Sequence, residues 1–100
     1  MPTFITFVKW TNQGIRNVRD TVKRARNITT QVQNSGGAVK GTYWTMGQYD
    51  PVIIFEVPDD STATSLMRFG GSLGNIRTET VRAFLQGEME NILEKVLKLV

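Results

Sequence analysis

Residues 38–57 read AVKGTYWTMGQYDPVIIFEV, and this stretch decides the fold. Ala38–Met46 carries Val39, Thr42, Tyr43, Trp44 and Thr45, while Val52–Val57 is almost wholly apolar, so both runs have strand composition. Between them Gly47-Gln48-Tyr49-Asp50-Pro51 makes a turn, with Pro51 at the head of the second strand, where its missing amide does least harm. So short a link leaves the two strands as an antiparallel hairpin.

Helical segments flank this hairpin on both sides. Upstream, Thr3–Trp10 alternates β-branched and aromatic residues and reads as a strand. Its faces are Phe4, Thr6, Val8, Trp10 and Thr3, Ile5, Phe7, Lys9. Both carry bulky apolar groups, so helices on one side would leave the other needing cover. Thr11 or Asn12 can cap a helical pattern that runs to Asn34, with interruption sites at Gly14 and Thr21; Ser35-Gly36-Gly37 ends it. Downstream, Pro58-Asp59-Asp60-Ser61 starts a helix with Ala63, Leu66, Met67 and Leu73 facing inward, closed by Gly70, Gly71 and Gly74. Asn75–Phe84 reads as a fourth strand. Glu88–Leu99 is a last helix with Met89, Ile92, Leu93, Val96 and Val100 on one face. The order βαββαβ plus a helix is the split βαβ arrangement, an α+β ferredoxin-like fold with a four-stranded antiparallel sheet.

The chain has 100 residues, a length that suits one domain over residues 1–100. With neither Cys nor His it has no disulfide, thiolate nucleophile, usual zinc site or imidazole acid–base group. No metal site and no cofactor is expected. No long apolar stretch marks a signal peptide or spanning helix, so a cytoplasmic protein without a membrane partner is the expectation. Charge is uneven. Residues 1–49 hold seven basic residues and one acidic, against five basic and eight acidic in residues 50–100. Arg16, Arg19, Lys23 and Arg26 fall on one helix face, with Ile15, Val18, Val22, Ala25, Ile28 and Val32 on another. No aromatic residue interleaves with these cations, which argues against nucleic acid and leaves a solvated face or a docking surface.

Four ordered blocks carry a family resemblance: Phe7–Ile15, the signature Gly47-Gln48-Tyr49-Asp50 preceded by Tyr43-Trp44-Thr45-Met46, Val57-Pro58-Asp59-Asp60, and Gly74–Phe84. In these the chain resembles the GYD-domain family. It departs in having Pro51 after the signature and a longer apolar tail after Gly87. The resemblance implies a ferredoxin-like fold of the dimeric α/β-barrel kind, in which two sheets face each other. It implies no particular reaction, and kinship of fold with isomerases and monooxygenases is analogy. A homodimer, or a larger homo-oligomer, would cover the second apolar sheet face.

The residues able to do chemistry are few. Tyr49 and Asp50 follow a glycine at a strand end, where Asp50 would be a base and Tyr49 a hydrogen-bond donor; in a turn, the same pair caps its own backbone. Arg77 or Arg82 would clamp an anion, or instead pair with Asp50, Glu56 or Glu79. Trp10, Tyr43 and Trp44 would line a pocket for a flat ligand or fill core. Gly70-Gly71-Ser72-Leu73-Gly74 lacks the Lys-Ser/Thr ending of a phosphate loop. Three functions follow. The first is a small-molecule cleft, for an anionic or aromatic ligand, near Lys9, Trp44, Tyr49, Asp50, Arg77 and Glu79. The second is a cofactor-independent isomerase or monooxygenase using Tyr49, Asp50 and Arg77. The third is a structural or interaction module docking through Arg16–Arg26.

Overall fold

The computed structural model describes residues 1–100. Strand β1 (Thr3–Trp10) pairs antiparallel with β3 (Val52–Glu56) on one side and β4 (Ile76–Ala83) on the other. Strand β2 (Ala38–Tyr43) adds to β3, giving the order β2-β3-β1-β4. The four-stranded antiparallel sheet and the α+β class are as expected. β2 ends earlier than Met46, because side-chain bonds within residues 45–50 fold that segment into a loop. Pro51 sits just before β3, and its carbonyl accepts the Val8 amide at 3.1 Å.

The register sorts side chains into two faces. Val39, Phe55, Phe4 and Arg82 form one cross-strand row, and Thr42, Ile53, Thr6 and Thr80 the next, both beneath the helices. Phe4, Val8, Ile53, Phe55 and Val57 join Val32 and Ala63 in the core, with the Phe4 and Phe55 rings stacked at 5.5 Å. Thr6 is buried there too, its hydroxyl bonded to that of Thr80 at 2.8 Å.

Helix formation after β1 is stepwise. Thr11 caps α1 (Asn12–Arg16) by accepting the Gly14 amide at 3.0 Å. The chain breaks at Asn17, passes through a 3-10 turn at Val18–Asp20 and resumes as α2 (Thr21–Asn34). A 3-10 turn winds three residues per turn and so shifts the apolar phase. Ala25, Ile28 and Val32 reach the interior, but Ile15, Val18 and Val22 remain 59%, 46% and 47% exposed, against the expectation of one continuous buried face. Gly36, at φ +85°, takes the left-handed conformation that ends α2.

Helix α3 (Asp60–Ser72) is capped by Asp59, whose carboxylate accepts the Thr62 amide at 2.8 Å. That backbone bond, with a further bond to the Thr62 side chain, holds the Asp59 carboxyl below its ordinary range. Gly70 and Gly71 lie inside α3, and Gly74, at φ +86°, follows its end. Leu73 is 55% exposed rather than inward, because it stands at the helix end beyond the sheet contact. Helix α4 (Gln86–Leu97) extends from the end of β4, and no other element packs extensively against it. The molecule is correspondingly long, at 52 × 29 × 20 Å, with a radius of gyration of 15.3 Å; a compact chain of this length has about 13 Å. No helix is long and apolar enough to cross a membrane.

Candidate functional site

The helix-free face of the sheet carries two apolar cross-strand rows. Gly41, Ile54, Ile5 and Val81 form one, and Tyr43, Val52, Phe7 and Glu79 the other. Gly41 makes room here, since a Cβ at this position would lie 2.7 Å from the Tyr43 ring. Tyr43 is 59% exposed and Val81 39%. No helix packs extensively on this face, because α2 packs over β2 and α3 over β4 on the opposite side; Ile5, Phe7, Val52 and Ile54 are half-buried, and Thr3 at its far end is buried.

Four of the sequence-selected residues gather at one end of this face. The Tyr49 ring meets Phe7 edge-on at 5.3 Å, and Lys9 Nζ stands 5.2 Å from its centroid. The Tyr49 hydroxyl donates to Glu79 Oε2 at 3.4 Å, and Arg77 lies opposite Lys9 in the strand register. Lys9 thus shares this end with one carboxylate, and Arg77, on the edge strand β4, borders both this end and the groove on the opposite face. The cation over the Tyr49 ring contributes about 0.5–1 kcal/mol at so exposed a site.

Asp50 is occupied differently. Its Oδ1 accepts the Thr45 amide at 2.7 Å, and its Oδ2 accepts Trp10 Nε1 at 3.4 Å. The Asp50 amide bonds to the Val8 carbonyl at 2.7 Å, and the Thr45 hydroxyl donates to the Tyr49 carbonyl. The carboxylate is a loop clamp that joins the signature to β1. Trp44 stands apart, its indole N–H donating to Thr21 Oγ1 at 3.0 Å. The three aromatic residues considered for a flat ligand also separate: Tyr43 is on the open face, Trp44 is against α2, and Trp10 lies under Arg24 with its centroid 5.6 Å from Cζ.

Arg82 has an ion-pair partner other than Asp50, Glu56 or Glu79. It meets Asp60 at 4.0 Å, while Glu56 pairs with Lys40 at 3.4 Å and Arg77 makes no ion pair. The reason is topological: alternation turns Arg82 toward the helices, where the first turn of α3 brings Asp60 alongside. Between α3 and β4 runs an open groove of about 840 Å³. Phe4, Ala63, Met67 and Ile76 contribute apolar surface, and Arg68, Arg77 and Arg82 line it against one carboxylate, Asp60. Sequence reading missed Arg68 and Asp60 as part of any site, since only the packing of α3 on β4 brings them beside Arg82. A smaller cavity of about 80 Å³ lies beneath Trp10, Ile28 and Phe69, too small for an aromatic cofactor.

Arg16, Arg19, Lys23 and Arg26 are all exposed and free of ion pairs. Arg24 serves the fold instead, donating to the Asn17 carbonyl at 2.7 Å across the helix break.

The fold and the signature loop together define a ferredoxin-like domain of a recognisable class. The model of the GYD domain matches residues 4–93, and the chain belongs to this family. It is 29% identical over 84 residues to a protein of Thermus thermophilus named glutamine synthetase and cystathionine beta-lyase binding protein. That match covers 83% of this chain and 88% of the relative. The crystal structure of TTHA0845 from the same organism shares the fold, with a TM-score of 0.54 and 22% identity over 85% of this chain and 95% of that one.

Proposed function

We propose that the chain is a homodimeric protein-interaction module in which a second copy covers the open face of the sheet. The observation that carries this reading is the pair of apolar rows centred on Ile5, Ile54, Phe7 and Val52, on which no helix of the chain packs extensively. Two-fold pairing is the commonest way to bury such a face. The name of the Thermus relative, a binding protein for two enzymes, supports protein partners rather than a reaction. The unpaired cations Arg16, Arg19, Lys23 and Arg26 supply a surface for an acidic partner on the side that dimerisation leaves free. Catalysis by Asp50 is disfavoured because both its oxygens are engaged in the loop clamp. A cytoplasmic setting belongs to the same reading, for a Cys-free chain needs no oxidising compartment.

A second reading rests on Lys9, Tyr49, Arg77 and Glu79. Enclosed between two sheets, their excess of positive charge would hold a small anion. Native mass spectrometry tests both readings. The wild-type chain should appear as a dimer, and Ile54→Glu should appear as a monomer with unchanged far-ultraviolet circular dichroism. A discrete retained mass that disappears in Arg77→Ala supports the anion. A wild-type monomer at micromolar concentration overturns the dimer.

A further inference from the structure

Helix α4 presents an apolar stripe to solvent. Met89, Leu93 and Val96 are 45%, 53% and 48% exposed, and Leu97 is 74% exposed. At 100° per residue, Glu90 and Glu94 border this stripe one turn apart. The helix carries three glutamates and one lysine between Gln86 and Leu97. The groove between α3 and β4 has the complementary character: an apolar floor of Phe4, Ala63, Met67 and Ile76, walled by Arg68, Arg77 and Arg82 against the single carboxylate of Asp60, which pairs with Arg82.

From this complementarity we infer that α4 is an exchanged arm, seated in the α3–β4 groove of a second copy of the chain. Its stripe lies on the groove floor, and Glu90 and Glu94 face Arg68 and Arg82. The inference rests on the dimer proposed above and adds to it. The connection supports the exchange. Only Phe84 and Leu85 separate β4 from α4, no other element of the chain packs extensively on the helix, and the molecule is 52 Å long.

The absence of native cysteines makes the test direct. Arg68→Cys and Glu94→Cys, both at exposed positions, are made in separate chains of different mass, co-expressed and treated with a short bismaleimide. Arg16→Cys with Glu94→Cys serves as the control pair. The expected result is a mixed 68–94 product well above the 16–94 background, with native circular dichroism for each variant. Reversing Glu90 and Glu94 to Arg should weaken the dimer at least tenfold at low salt, and adding Arg68→Glu should recover part of that loss.

A wild-type dimer whose 68–94 yield stays at background refutes the arm while leaving the sheet interface intact. Reaction only within a double variant, never between single variants, also refutes it, because α4 then folds onto its own groove. A wild-type monomer in native mass spectrometry removes the dimer itself, and with it the exchange.

Discussion

Replacing Asp50 by Ala tests whether the signature aspartate is scaffold or chemistry. The substitution strips away the acceptor of the Thr45 amide at 2.7 Å and the more distant acceptor of Trp10 Nε1 at 3.4 Å. It leaves the main-chain bond from Asp50 to Val8 in place. A hydrogen bond to a charged group contributes about 1.5–3 kcal/mol. Thr45 is exposed, so water can replace part of its bond, and the indole contact is long. The expected loss is therefore about 1.5–2.5 kcal/mol, or a fall in Tm of about 6–20 °C for a domain of this size. Asp50→Asn keeps an acceptor for Thr45 but turns its amide group toward another donor at Trp10, so it should lose about half as much. Thermal unfolding followed by circular dichroism and Trp fluorescence, at fixed protein concentration, measures both variants. If both stay within about 0.5 kcal/mol of wild type, the range of an ordinary surface substitution, the clamp reading is wrong and Asp50 returns as a candidate base.

Two further substitutions probe the frame around this loop. Gly14→Ala would put a Cβ 1.9 Å from the Asn75 carbonyl oxygen and 3.1 Å from Trp10 Cε3, and that carbonyl also accepts the Thr11 amide at 3.2 Å. Overpacking of about 1–3 kcal/mol, plus about 1 kcal/mol for the disturbed hydrogen bond, should show as a large drop in the urea midpoint; an unchanged midpoint would mean that α1 is not locked to the β4 entry. At Asp59 the Thr62 backbone amide lowers the folded carboxyl below its ordinary value of 3.8. The cap therefore stabilises fully above that value and loses its contribution as pH falls through the lower folded one. Asp59→Ala should be less stable than wild type at pH 7, with the gap closing as acid protonates the wild-type cap. A gap independent of pH down to about 2 would contradict this linkage.

Much of the fold was legible because its signals are local. The alternation in Thr3–Trp10, the start of β3 after Pro51 and the cap at Asp59 each act within a few residues, and all three appear where expected. The departures have nonlocal causes. Val18 and Val22 obey helical periodicity on paper, but a 3-10 turn at Val18–Asp20 takes them out of phase with the core. β2 stops at Tyr43 because Asp50, across the loop, captures the Thr45 amide. The site divided along the same line. Lys9, Tyr49 and Glu79 come together because β1 and β4 pair with Phe7 opposite Glu79, a register that only the structure shows, and the signature loop folds Tyr49 over Phe7. Trp44 went elsewhere because Thr21 offered its indole a partner. Arg68 carried no signal until α3 was laid on β4.

The two unburied apolar surfaces expose a limit of pattern reading that is physical in origin. Hydrophobic periodicity reports that a face is costly to leave in water, but it does not say what covers it. For Phe4 and Val8 the cover is in the same chain, and the core closes over them. Ile5 and Phe7 alternate with those residues along β1 yet face no helix, and Met89 and Leu93 line a stripe that meets no sheet. The usual remedy, packing one face on the other within the chain, is not used, since α4 makes no extensive contact with the sheet. In the dimer proposed above, a single two-fold axis would satisfy both surfaces, one flat and one projecting. The first would pair with its own copy, and the second would reach a groove whose arginines match its glutamates. A dimer built this way leaves the cations of α1 and α2 outward, so the machinery of self-association and the surface offered to other proteins do not compete for the same residues.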